Sequence, residues 1–361
     1  MPTRMKAKKI DLGLRAELSV RGLRAASPPP RRRAGAGPSD DGHWTLDGTP
    51  LTLPMANDSP WARAPDGTLT RDGVVVHAEL GAIGRPRFYD LKTADGTPYE
   101  QLARLHGSNV LATSVVQTCV RDAAAEGCRF CTTAEPLRSG DTTHVRHPEQ
   151  LAEVALAAVR LDGVRQLVMT TGTSHGRDCG ARYLARCVAA VHAVLPDLPI
   201  QVQIEPPADL VWIRRLYGAG ARAIGIHVEA LDQEVRRRWT PGKATVPLAR
   251  YEEAWNEAVL VFGRNRVSTY LLIGLGEDPD ELVAGARRLI AMGVYPFVVP
   301  YRPRVGGLVP GDDVPAPSHE IVADVTDRVG RALRNAGMRG ADQAAGCAAC
   351  GACSTLSAVG G

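Results

Sequence analysis

Long apolar runs are missing from this 361-residue chain. None approaches the roughly 18 residues that a membrane-crossing helix needs. The basic N-terminus is not followed by the apolar segment of about 7–15 residues that marks a secretory signal. A membrane partner and export are therefore not expected, and the chain is expected in the cytoplasm. Aromatics are scarce at 5% and none interleaves with the basic N-terminal residues, so a nucleic-acid partner is not expected either. Charge is moderate, with 23% charged residues and a net +4. It is unevenly spread, because residues 1–33 carry ten Lys and Arg against Asp11 and Glu17, which leaves the remainder mildly acidic.

Cysteines are few but grouped. Six of the eight fall in two tight sets whose C-x2-C spacing suits metal better than disulfides. The first set lies in residues 111–135, LATSVVQTCVRDAAAEGCRFCTTAE, where a β-type run enters a loop carrying Cys119, Cys128 and Cys131 with Phe130 before the last. Three thiolates on one loop can hold three irons of a cubane [4Fe–4S] cluster and leave the fourth open to a small molecule. The aromatic Phe130 would shield such a cluster from water. The alternative is zinc, which wants a fourth ligand that His144 or His147 could supply. The second set, Cys347, Cys350 and Cys353, has the C-x2-C-x2-C spacing of half a ferredoxin motif without its fourth Cys-Pro. It suggests a second, auxiliary [4Fe–4S] cluster with its last iron on Ser354, another side chain or substrate; a zinc knuckle is the alternative. Cys179 and Cys187 read as core thiols on one helix.

From Leu111 onward, short apolar strands alternate with amphipathic helices. Strands are expected near 111–118, 164–171, 200–204, 223–228, 266–273 and 295–299, with a closing helix at 318–336. Six βα units argue for an α/β fold, a partial parallel (βα)6 barrel. Residues 1–45 form a basic, flexible arm holding a short helix near 10–25 and a Gly-Ala-Gly-Pro-Ser-Asp linker at 35–40. Residues 46–110 form a small N-terminal module with a hairpin around Asp72-Gly73. The barrel spans 111–337 and the auxiliary-cluster tail 338–361.

Chemistry in parallel barrels gathers at the C-terminal strand ends. The second strand ends in Thr170-Thr171-Gly172-Thr173, hydroxyls and open backbone suited to an amino-acid ammonium or simply a Thr-rich turn. At the third, Glu205 precedes two prolines and is either a ligand carboxylate or a salt-bridged rim residue. The fourth strand gives His227-Val228-Glu229 and then Arg236-Arg237-Arg238, the fifth Gly274-Leu275-Gly276-Glu277. At the end of the sixth, Tyr301 and Arg302 are candidate substrate contacts. Of these strand ends only the fourth carries a histidine, which counts against a zinc-dependent barrel hydrolase.

The three-cysteine loop with an aromatic before its last member resembles the cluster loop of the radical S-adenosylmethionine (SAM) enzymes. Its first gap is longer than the family's common C-x3-C-x2-C. The H-x-E strand, the basic helix and the GLGE stretch resemble those of lipoyl and biotin synthase-like members. The C-x8-C-x2-C loop with its cysteine-rich tail resembles the radical SAM proteins found beside nitrilases in bacterial cyanide-assimilation gene clusters. The resemblance covers about residues 67–361. It implies SAM held by Thr171, Gly172 and Thr173, Glu205, Glu229 and one of Arg236, Arg237 and Arg238, with Arg237 and Arg238 as the expected site residues. Gly274, Gly276 and Glu277 would support its adenine. It further implies a 5′-deoxyadenosyl radical acting on a small-molecule substrate, and an electron donor such as flavodoxin or ferredoxin. An electron carrier or cluster scaffold would use both cysteine sets but leave the H-x-E and GLGE segments idle.

Overall fold

The computed structural model describes residues 11–24, 42–77, 79–303 and 314–360. Its centre is a seven-stranded sheet in which each strand lies beside its neighbour in sequence. The strands are β7 (Arg104–His106), β8 (Val110–Ser114), β9 (Gln166–Thr170), β10 (Ile200–Ile204), β11 (Ala221–Ile226), β12 (Val267–Ile273) and β13 (Val294–Pro300). From β8 to β13 all pairs are parallel, and β7 turns back antiparallel on β8. This is the expected partial (βα)6 barrel with one added edge strand.

The crossover helices follow the pattern in the sequence. In the helix Pro148–Asp162, proline opens the first turn, Leu151, Val154, Ala155 and Ala158 are buried, and Gly163 ends the helix at φ 66°. Proline needs no amide partner in a first turn, and glycine enters the left-handed region without a Cβ clash. Helix Pro279–Met292 has the same design, capped by the Asp278 carboxylate on two backbone amides.

The N-terminal module holds two three-stranded sheets. One joins β1 (His43–Leu46), β2 (Thr49–Thr52) and β6 (Leu80–Ala82); the other joins β3 (Trp61–Arg63), β4 (Leu69–Arg71) and β5 (Val74–His77). The expected hairpin links β4 to β5, with Asp72 and Gly73 both at positive φ. Leu18, Leu23, Leu46, Leu51 and Leu69 form a core separate from the barrel's.

The basic arm is corrected in part. Helix Leu12–Arg21 buries Arg15, Ala16, Leu18 and Ser19 and packs on helix His319–Asn335, so residues 11–24 belong to the folded body. The proline–arginine run and the linker at 35–40 lie outside the described residues. The tail folds back under the barrel. Gly346 donates its N–H to Gln166 Oε1 at the start of β9, and the Ser354 hydroxyl donates to the Val298 carbonyl of β13. No helix among the described residues is long and apolar enough to cross a membrane.

Candidate active site

One cavity of about 510 Å³ occupies the barrel interior, and both cysteine sets open on it. Cys119, Cys128 and Cys131 line one part, and Cys347 and Cys353 another. Cys350 sits just behind, packed on Val110, Ala112 and Val168.

The long gap between Cys119 and Cys128 is absorbed by a single helical turn, Val120–Ala123. Val120 N–H donates to the Thr173 carbonyl after β9, and Gly242 N–H donates to the Glu126 carbonyl. The extra residues thus loop outward while Cys119 stays on the cavity wall. Phe130 also lines it, as expected of a shield. His144 and His147 do not reach the cavity, so neither joins the loop cysteines.

Two buried ion pairs flank the loop. Glu205 accepts from Arg121 Nη2 at 2.8 Å and from Thr173 Oγ1 at 2.7 Å. Burial alone would raise its carboxyl, but Arg121, Lys243 and Thr173 hold it below the usual carboxylate range. Glu229 accepts from Lys243 Nζ at 3.0 Å. Burial opposes that ammonium's charge, yet Glu229 and Cys128 keep its pKa well above normal.

Glu229 owes its position to an interruption in the sheet. Pairing of β11 with β12 stops after Gly225–Ser268 and resumes only at Glu229–Leu271. In the gap, His227 Nδ1 accepts the Tyr270 N–H at 3.2 Å and Thr269 Oγ1 accepts the Val228 N–H. Glu229 then takes φ 71°, a left-handed conformation that costs a glutamate about 1 kcal/mol and is kept where structure around it demands it. The His227 ring stacks on Tyr270 at 4.1 Å and lies over Gly225, where a Cβ would come within 2.5 Å of it. Burial, then Lys243, push its pKa down to about 3, so it is neutral.

Several expected contacts lie elsewhere. Arg237 and Arg238 are exposed on helix Gln233–Trp239 and do not line the cavity; Arg237 pairs with Glu234. Arg236, the buried member, binds the carbonyls of Lys243 and Val246. Glu277 caps the Leu231 and Asp232 amides behind the wall, and burial raises its pKa. Gly274 has φ 101° and faces Pro317, and neither it nor Gly276 lines the cavity. Thr171, Gly172 and Thr173 do line it. Gly172 has its own structural reason, because a Cβ there would lie 2.0 Å from the Thr118 carbonyl. Tyr301 and Arg302 line the cavity too; Tyr301 packs on Trp239 and Arg302 Nε donates to the Ser19 carbonyl.

The tail cysteines are held closely. Tyr270 Oη donates to Cys347 Sγ at 2.7 Å, and Gln203 Nε2 lies 3.7 Å from the same sulfur. Cys353 Sγ is 3.2 Å from His106 Nε2 and 3.7 Å from Thr52 Oγ1. Burial pushes the Cys347 thiol up to about 12, whereas His106, Arg302 and Thr52 outweigh burial at Cys353 and bring it to about 6. Ser354 is not turned toward the cysteines, since its hydroxyl serves Val298 and the Leu356 amide. Cys179 precedes helix Ala181–Val194, so only Cys187 is a helix core thiol.

Lys243, Arg121 and Tyr270 are not among the site residues expected from the sequence, and His227 is noted there without a role. Only His227 had a local signal, the H-x-E at a strand end. The others come from distant segments.

Residues 115–289 match the Radical SAM superfamily model. A bacteriochlorophyllide c C-7(1)-hydroxylase of Chlorobaculum limnaeum is 29% identical over 141 residues, 38% of this chain and 34% of that protein. Lipoyl synthase of Sorangium cellulosum (strain So ce56) is 29% identical over 188 residues, 48% of this chain and 49% of that protein. The methylornithine synthase PylB superposes with a TM-score of 0.46 at 16% identity, covering 70% of this chain and 78% of that chain. The chain thus spans about a third to a half of the length of these curated relatives. The superfamily match and the curated lipoyl synthase relative mark the chain as an enzyme.

Proposed function

We propose, from the premise that residues 115–289 are a radical SAM domain, that this chain cleaves SAM reductively and uses the radical to take hydrogen from a small-molecule substrate. The observation that carries it is the convergence of the three loop cysteines and two buried carboxylate–cation pairs on one cavity. A [4Fe–4S] cluster with one open iron supplies, when bound, the electron that splits the sulfonium to methionine and a 5′-deoxyadenosyl radical.

The chain's own residues fit that group. Cys119, Cys128 and Cys131 would hold three irons of the cluster. Burial raises the Cys128 and Cys131 thiols, so as thiolates they need the positive charge that iron brings. Lys243, the cavity-lining cation beside Cys128, takes the carboxylate-facing role expected of Arg237 or Arg238. Glu205 and Glu229 present carboxylate oxygens to an ammonium, and the Thr171–Thr173 backbone lies beside them. Phe130 keeps water from the loop.

The tail cysteines are read as holding an auxiliary iron–sulfur cluster on the far side of the substrate. With Ser354 committed elsewhere, its remaining position belongs to another side chain or to substrate. The C-x8-C-x2-C loop paired with a cysteine-rich tail supports a place in the nitrilase-associated branch, and flavodoxin or ferredoxin is the electron donor to test.

The test is anaerobic reconstitution with iron and sulfide, then dithionite and SAM, assayed for 5′-deoxyadenosine. Nucleoside should form and should vanish in Cys128→Ala. A protein that forms the loop cluster but never cleaves SAM would overturn the reading.

A further inference from the structure

Barrel and N-terminal groups reach the tail cysteine sulfurs with several hydrogen-bond donors, whereas the cations beside the loop cysteines, Lys243 and Arg121, are each paired with a carboxylate. Tyr270 and Gln203 reach Cys347, and His106 and Thr52 reach Cys353. Beneath them lies Arg15, only 3% exposed. Its acceptors are the carbonyls of Pro50, Gly351 and Ser354, and its Nη1 has no hydrogen-bond partner. A buried guanidinium with carbonyl partners is costly to keep charged, and Cys353 and Cys350 as thiolates are the groups that offset it. Among the described residues, a side chain hydrogen-bonded to a loop cysteine sulfur is Thr133, its Oγ1 2.9 Å from Cys131.

From this contrast we infer that the tail cluster is the more easily reduced of the two, poised by Tyr270, His106 and Arg15 so that an electron entering the enzyme rests there first. The inference depends on the reading that the tail holds a cluster. Hydrogen bonds and nearby cations withdraw charge from coordinating thiolates, and this favours the reduced cluster and raises its potential. Tyr270 acts as a positioning and tuning residue. Its ring stacks on His227 at the cavity wall and its hydroxyl meets Cys347, so one side chain touches both the reaction space and the tail. His106 comes from β7, outside the 115–289 match, and as the Nε2–H tautomer it donates to Cys353.

The experiment separates the two clusters by mutation and reads each by potentiometric titration with electron paramagnetic resonance. In Cys119→Ala/Cys128→Ala/Cys131→Ala only a tail cluster remains; in Cys347→Ala/Cys350→Ala/Cys353→Ala only the loop cluster. The tail cluster should have the higher midpoint. Tyr270→Phe, which keeps the ring and removes only the hydroxyl, should lower that midpoint and leave the loop cluster's unchanged. His106→Gln should lower it again. If the loop-less protein binds zinc or no iron, the auxiliary-cluster reading fails. If it binds iron, but its midpoint lies below the loop cluster's or does not fall in Tyr270→Phe and His106→Gln, the cluster stands and this inference fails.

Discussion

Cys119, Cys128 and Cys131 hang on a loop beyond the strand ends, whereas Cys347, Cys350 and Cys353 are wedged among the strands themselves. The loop set is bordered by ion pairs that are satisfied within the cavity wall, Arg121 with Glu205 and Lys243 with Glu229. The tail set is bordered by donors aimed at sulfur and by a buried arginine with only carbonyl partners. The first arrangement suits a site that must admit an amino acid and its counter-charges. The second suits a centre that is kept in place and tuned. One cavity, two chemistries.

The comparison can be broken on either side. Removing Glu205 leaves the half-buried Arg121 without its partner, which costs about 1–3 kcal/mol. Glu205→Ala should therefore lower the melting temperature and abolish detectable SAM binding by calorimetry, while iron bound through the proposed tail cluster is retained. On the tail side, Gly346 has φ 116° and a Cβ there would lie 2.2 Å from the Gln201 amide. Gly346→Ala should cost about 2–3 kcal/mol through strain and clash. Iron analysis should then show loss of about four irons per chain, with SAM cleavage kept.

Smaller effects sharpen it. His227 is neutral in the folded state with a pKa near 3, below its unfolded value of about 6.5. The unfolded chain therefore binds the extra proton between those values. Stability from this group is complete above about pH 6.5 and falls by about 1.4 kcal/mol per unit as pH drops toward 3. Denaturant titrations from pH 7 to 5 should show that slope, and His227→Gln should lack it. Arg237→Ala and Arg238→Ala should leave SAM affinity unchanged and alter stability by less than about 0.5 kcal/mol, because both side chains are solvated.

How much of this the sequence carried depends on whether the signal was local. Helix Pro279–Met292 and strand Ile200–Ile204 fall where periodicity and caps put them, and both cysteine sets announce themselves by spacing. Lys243 and Arg121 do not. Each reads as a surface cation until the fold brings Glu229 or Glu205 beside it. The arginine run misled for a related reason: charge density on a helix says nothing of which face meets the cavity, and Arg236, the inward one, braces backbone carbonyls. Glu277, expected beside the adenine, instead caps the neighbouring strand-end loop by accepting the Leu231 and Asp232 amides. Helix Leu12–Arg21 falls where its leucines put it, but its packing on helix His319–Asn335, far away in sequence, had no local signal.

The most direct test of the account is the resonance spectrum of the reduced protein before and after adding SAM. SAM should change the signal of the loop cluster, and that change should persist in Cys347→Ala/Cys350→Ala/Cys353→Ala and disappear in Cys128→Ala/Cys131→Ala. A SAM-induced change that survives loss of the loop cysteines, or none in the wild-type protein, would contradict the assignment of SAM to that loop.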